Sequence, residues 1–193
     1  MANVLLFHHV LGLTPGVDAF ADVLREAGHT VTVPDLFDGR TFLELNDGMA
    51  YAEEIGFQEL EDAGIRIAGR FPPDMVYMGF SLGVLPAQLL AQTRPGARGA
   101  VLISSCVPLG VFGDSWPAGV PVQVHGMDAD PIFVDEGDLG AAENLVAATP
   151  EAELFLYPGS SHLFADISLD DYDETAAPVL TARVLDLLAR TDA

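Results

Sequence analysis

Short apolar runs punctuate the chain, and the longer intervals between them repeat their apolar residues every three or four positions. The runs are V-L-L-F from Val4 to Phe7, T-V-T-V from Thr30 to Val33, M-V-Y-M from Met75 to Met78, A-V-L-I from Ala100 to Ile103, V-Q-V-H from Val122 to His125 and L-F-L-Y from Leu154 to Tyr157. Most lack polar alternation, as expected of parallel strands covered on both faces. Helical spacing occupies Val17 to Ala27, closed by Gly28, then a stretch near Met49 to Gly69, Leu82 to Thr93, Glu136 to Ala148 and Thr175 to Ala189. The alternation predicts an α/β fold: a doubly wound, mostly parallel sheet of about six strands with helices on both faces.

In such sheets the connections are right-handed, and ligands bind beyond the carboxyl ends of the strands. Two segments leaving that edge are long and rich in Gly, Pro and aromatic residues: Pro34 to Asn46 and Ser104 to Gly119. Loops of this kind are usually functional, so both are expected to wall a pocket. No repeat, linker or low-complexity tract interrupts the pattern, and no insertion is long enough for a separate lid. The expectation is one domain over residues 1–193.

Composition narrows the partners. Half of the residues are hydrophobic, yet the net charge is -21, and all 8 basic residues are arginines scattered from Arg25 to Arg190. Phosphate backbones and anionic membranes need clustered cations, so neither nucleic acid nor a membrane is expected as a partner. Cys106 is the single cysteine, which rules out an intramolecular disulfide. The N-terminal stretch has no basic start, and His8 and His9 interrupt its apolar run, so a cytoplasmic protein is expected.

Chemistry enters at G-F-S-L-G, Gly79 to Gly83, where a strand runs straight into a helix. A sharp strand-to-helix turn crowds its own backbone. Glycines on either side relieve the crowding and leave Ser81 exposed above the sheet, the nucleophile-elbow arrangement. Leu82, opening the helix, would offer its N–H to an oxyanion. An N-cap serine is the plainer reading of the same residue. A serine hydroxyl needs a base, and His162 in P-G-S-S-H-L-F, after the last strand, is the best placed of the histidines. His29 lies at the wrong edge, His8 and His9 point to opposite faces, and His125 suits a buried structural role. The orienting acid should follow the strand before it, in G-M-D-A-D-P-I-F. Asp130 and Asp128 both qualify, with Asp130 preferred because Pro131 stiffens its turn. The chain order Ser81, Asp130, His162 is that of α/β-hydrolases, and the mechanism calls for no cofactor and no metal.

The residues then resemble the dienelactone hydrolase family of the α/β-hydrolase superfamily. The similarity spans nearly the whole chain: H-H-V-L-G after the first strand, P-D-L-F after the second, G-F-S-L-G, D-P-I-F-V and G-S-S-H-L-F. The resemblance implies a fold without a cap domain, a Ser81–Asp130–His162 triad, and the N–H of Val10 as a second oxyanion donor beside Leu82. Two departures stand out. The family's well-known members carry cysteine where this chain has Ser81, and glutamate where it has His9. Their substrate is a lactone bearing a carboxylate, and Arg40 is the one arginine expected near the pocket. His9, Arg40, Phe37, Trp116 and Phe164 are taken as substrate-facing positions, with Phe42 and Phe112 as further apolar lining; the aromatics would equally suit an ordinary core. The expected function is hydrolysis of a small ester or lactone. The alternatives are a non-catalytic binding or regulatory protein on the same fold, and acyl transfer to an acceptor other than water.

Overall fold

The computed structural model describes residues 1–191. Strand and helix alternate as β1 (Asn3–Phe7), α1 (Pro15–Glu26), β2 (Thr30–Thr32), α2 (Leu45–Ile55), α3 (Phe57–Ala68), β3 (Val76–Phe80), α4 (Val84–Thr93), β4 (Gly99–Ile103), β5 (Val122–Met127), α5 (Pro131–Asp135), α6 (Asp138–Ala148), β6 (Ala152–Tyr157) and α7 (Ala176–Arg190). The strands form one 6-stranded sheet in the order β2-β1-β3-β4-β5-β6, every pairing parallel. Among the described residues no helix is long and apolar enough to cross a membrane.

Because side chains alternate across a strand, each apolar run feeds two cores. Val4 and Leu6 of β1, with Met78 and Ile103, pack under α1 and α7 through Phe20, Leu24, Leu180 and Leu187. Leu5 and Phe7, with Tyr77 and Leu102, pack on the other face against Val84 and Leu90 of α4 and Leu145 of α6. Each such leucine or phenylalanine contributes about 1.5–3 kcal/mol by leaving water. Helix α4 is apolar nearly all round because it is enclosed, with the sheet on one side and α3 on the other; Gly64 of α3 lets Pro86 approach where a methyl group would collide.

A third cluster sits above the carboxyl edge. Val10, Leu11, Phe37, Ala52, Leu60, Leu82 and Leu163 gather there beneath α2 and α3. The periodicity between Met49 and Gly69 resolves into two helices, since Gly56 takes φ 93 and ends α2 before α3 begins. Helix α2 starts at Leu45, so the long segment after β2 is shorter than its composition suggests. A short α5, opened by the Asp130 side chain accepting from the Ile132 N–H, precedes α6, and Gly137 at φ 107 separates them. The helix expected at Leu82 begins as one 3-10 turn, Ser81–Gly83.

The register decides what shares the upper edge. Phe7 lies beside Gly79, Phe80 beside Ile103, and Ile103 beside His125. The chain therefore leaves β1, β3, β4, β5 and β6 at one rim, delivering residues 8–10, 81, 104, 130 and 162 to a common place.

Candidate active site

Ser81 occupies the turn between β3 and the 3-10 turn with φ 46, a left-handed conformation that costs a non-glycine residue energy. Its flanking glycines are sterically required. A methyl group at Gly79 would strike the Gly83 carbonyl, and one at Gly83 would strike the carbonyls of Phe7 and His8. The elbow is thus pressed against the end of β1, which brings the Val10 segment beside Leu82.

The Ser81 hydroxyl lies 2.7 Å from His162 Nε2, and His162 Nδ1 lies 2.6 Å from Asp130 Oδ2. A carboxylate accepts, so Nδ1 carries the ring proton and Nε2 is left to accept from the hydroxyl. Asp130 is fully buried, and its other oxygen accepts from the Ile132 N–H at 3.0 Å, which fixes the carboxylate plane at the head of α5. Asp128 faces elsewhere: its Oδ1 accepts from the Gly159 N–H at 3.1 Å, tying the β5 and β6 ends together.

Ser104, at the end of β4, is a member of this arrangement that motif reading passes over. It too is left-handed, with φ 59, and only 2% exposed. Its N–H donates to the His125 carbonyl at 2.7 Å, and its hydroxyl donates to the His162 carbonyl at 2.6 Å. The signal in the sequence is a bare S-S at a strand end, which many loops share.

His9 is fully buried, with both ring nitrogens engaged within the fold. Its Nε2 lies 2.8 Å from Asp166 Oδ2, while Nδ1 accepts from the Leu11 N–H at 3.2 Å. An acceptor at Nδ1 places the proton on Nε2, so His9 donates to Asp166. Thr14, the N-cap of α1, donates to the same carboxylate oxygen, and Ser168 supplies its N–H at 2.8 Å and its hydroxyl at 2.6 Å to the other. Burial alone would raise the Asp166 pKa; the hydrogen bonds from His9, Ser168 and Thr14 outweigh it and hold the group down at about 2. This network joins the turn after β1, which carries Val10, to the segment that carries His162.

The other positions expected to face substrate divide. Phe37 is fully buried in the upper cluster, edge-on to His8 at 4.9 Å and to Tyr51 at 5.1 Å. Arg40 lies with its guanidinium 4.7 Å above the Tyr51 ring. Trp116 is a core residue, 6% exposed, packed on the α4 face of the sheet with its indole N–H donating to the Val120 carbonyl at 2.7 Å. Phe164 is fully buried on the opposite face, against Tyr157. Both side chains are thus engaged in the two cores that sandwich the sheet. Phe112 packs into none of the three cores, whereas Phe42 lies against the upper one. Cys106 is buried, and burial, with Asp138 nearby, pushes its thiol up to about 12, which leaves it unreactive.

The family model of the dienelactone hydrolase family matches residues 1–191. The chain belongs to the dienelactone hydrolase family. By family, then, this dienelactone hydrolase relative is a hydrolase, and its sheet is that of the α/β-hydrolase fold without a cap domain. Similar solved structures include a dienelactone hydrolase-like promiscuous phosphotriesterase from metagenomic libraries, with TM-score 0.77 and 18% identity over 99% of this chain and 87% of that one. The esterase PE8 matches with TM-score 0.67 and 16% identity, covering 97% and 93% of the two chains. A thioesterase domain from the curacin biosynthetic pathway matches with TM-score 0.65 and 16% identity over 95% and 90%. At these identities the likeness is one of fold. No curated protein sequence matches the chain at a significant level.

Proposed function

We propose that this family member hydrolyses small carboxylic esters or lactones through an acyl-enzyme on Ser81. The observation that carries the reading is the unbroken hydrogen-bond chain from the Ser81 hydroxyl through His162 to buried Asp130, built on a strained serine turn. His162 Nε2 takes the hydroxyl proton as Oγ attacks the carbonyl carbon. Asp130 holds the ring in the tautomer that can accept and stabilises the imidazolium that results. The carbonyl electron pair moves onto oxygen, where the N–H groups of Leu82 and Val10 receive it, and its return expels the alcohol, protonated by His162. Water, activated by the same imidazole, then attacks the acyl carbon and frees Ser81. In a lactone the expelled alcohol remains part of the acyl group, so the product is one hydroxy acid.

The test is replacement of Ser81 by alanine with turnover of p-nitrophenyl esters and lactones as readout, alongside labelling of the parent protein with a fluorophosphonate. The expected outcome is a fall in kcat of at least about 10⁴-fold and stoichiometric labelling at Ser81. A folded alanine variant with undiminished turnover would remove Ser81 from the reaction. A parent protein that neither labels nor turns over favours the binding-protein alternative.

A further inference from the structure

A cavity of about 480 Å³ opens at the same rim, between the turn after β1, the segment that leads into α2, and the segment that follows His162. Its inner wall is Leu11 and Leu163, each 3% exposed, with Leu45 and Leu169 partly buried beside them. Leu11 follows Val10 in the chain and Leu163 follows His162, and both pack in one cluster with Val10 and Leu82. Leu11 and Leu163 therefore join the cavity, through the packing beneath it, to Val10 and Leu82 beside Ser81, although none of Val10, Leu82, Ser81 and His162 itself lines the cavity. Its volume falls within the range of roughly 300–1,000 Å³ typical of small-molecule sites.

The rim of this cavity is different in kind. Glu44, Asp170 and Asp171 stand exposed around it, and no arginine lines it. Arg40 is the single arginine between positions 34 and 55, and it lies over Tyr51; positions 160–175 contain no arginine or lysine. By contrast a larger cavity, of about 640 Å³, holds Arg94, Arg98 and Arg190, but it lies at the amino ends of β4 and β5, on the far edge of the sheet from Ser81. Arg94, Arg98 and Arg190 thus stand at the far edge, while Glu44, Asp170 and Asp171 stand at this rim.

We infer that this cavity is the acyl subsite of the enzyme, taking an aliphatic chain on its leucine wall, and that its three rim carboxylates favour neutral and cationic esters over anionic ones. The inference rests on the esterase reading above and deepens it by naming the substrate class. A carboxylate at the far end of an acyl chain would come to rest among like charges with no guanidinium to neutralise it. Exposed charges act over about 8 Å at physiological salt, so the discrimination is largest in dilute buffer.

The experiment compares kcat/KM for three p-nitrophenyl esters of matched acyl length: the pentanoate, the hemiglutarate carrying a free carboxylate, and the 4-(trimethylammonio)butanoate. Each is measured at 20 and 500 mM NaCl (about one-fifth and about five times the ionic strength that sets a 10 Å screening length). The parent enzyme is expected to favour the cationic over the anionic ester by about 30-fold at low salt, shrinking several-fold at high salt. The triple variant E44Q/D170N/D171N, altered only at exposed side chains, is expected to bring the ratio close to one while leaving pentanoate turnover within about twofold. Glu44 caps α2 through its backbone position alone and makes no side-chain cap bond, so the change leaves that helix start intact. Charge-blind turnover by the parent, a preference for the anion, or an unaltered ratio in the triple variant would each overturn the subsite and leave the esterase intact. Absence of turnover on all three esters, with no fluorophosphonate label, would overturn both.

Discussion

At the scale of single residues, the site depends on two serines held left-handed at neighbouring strand ends. Ser81 is the proposed nucleophile; Ser104 holds the His162 carbonyl. Replacing Ser104 with alanine leaves that buried carbonyl without its donor, a deficit of about 1–3 kcal/mol, and loosens the backbone from which the imidazole projects. Kcat is expected to fall about tenfold with KM within twofold, because the ring reaches the hydroxyl less often while substrate still binds. Equal losses in kcat and folded fraction would instead mark a purely structural role. The meeting of Ser81, His162 and Asp130 is readable in the sequence because each follows a recognisable strand and local chemistry marks its turn. Ser104 is not readable: its role exists only through a bond to a residue 58 positions away.

At the scale of elements, the His9–Asp166 pair joins two loops across 157 positions. The sequence marks His9 as a departure from its family but offers no hint of its partner, since an aspartate in L-F-A-D-I-S could as well be solvated. The D166N variant keeps the volume but removes the charge that His9, Thr14 and Ser168 all address. Such a loss at a 1% exposed site is expected to cost about 2–3 kcal/mol in urea unfolding, and to slow ester turnover because Val10 and His162 lose their shared anchor. The same limit explains Trp116 and Phe164. An aromatic residue in a glycine- and proline-rich loop suits a pocket wall and a core plug equally, and only the packing of the finished sheet decides. Strand positions, by contrast, are legible because two-sided burial leaves an unbroken apolar run.

For the whole molecule, buried neutral histidines set the response to acid. Burial, the main cause, pushes His8 down to about 4 and His125 down to about 3 from an ordinary 6.5. Each ring is also committed to hydrogen bonds, His8 with the His9 carbonyl and the Leu36 N–H, His125 with Tyr157. An unfolded chain binds protons at these sites near pH 6.5 that the folded chain refuses until far lower. Their contribution is therefore intact above about pH 6.5 and is lost as the pH falls towards 4 and 3. By pH 5 the loss amounts to about 2 kcal/mol per histidine. Asp166 acts in a lower window: its depressed pKa stabilises above about 3.8 and is lost as the pH falls through about 2. Urea titrations from pH 8 to 4 should show a plateau and then a slope approaching two protons taken up on unfolding. A flat profile down to pH 4.5 would show that these rings are already protonated in the native state.

The bond between His9 and Asp166 also has an evolutionary reading. Residues 8–14 and 162–168 are physically coupled, so a substitution in one strands a charged or polar partner in the other. Chimaeras with relatives bearing a different residue at position 9 should survive only when both segments are exchanged together.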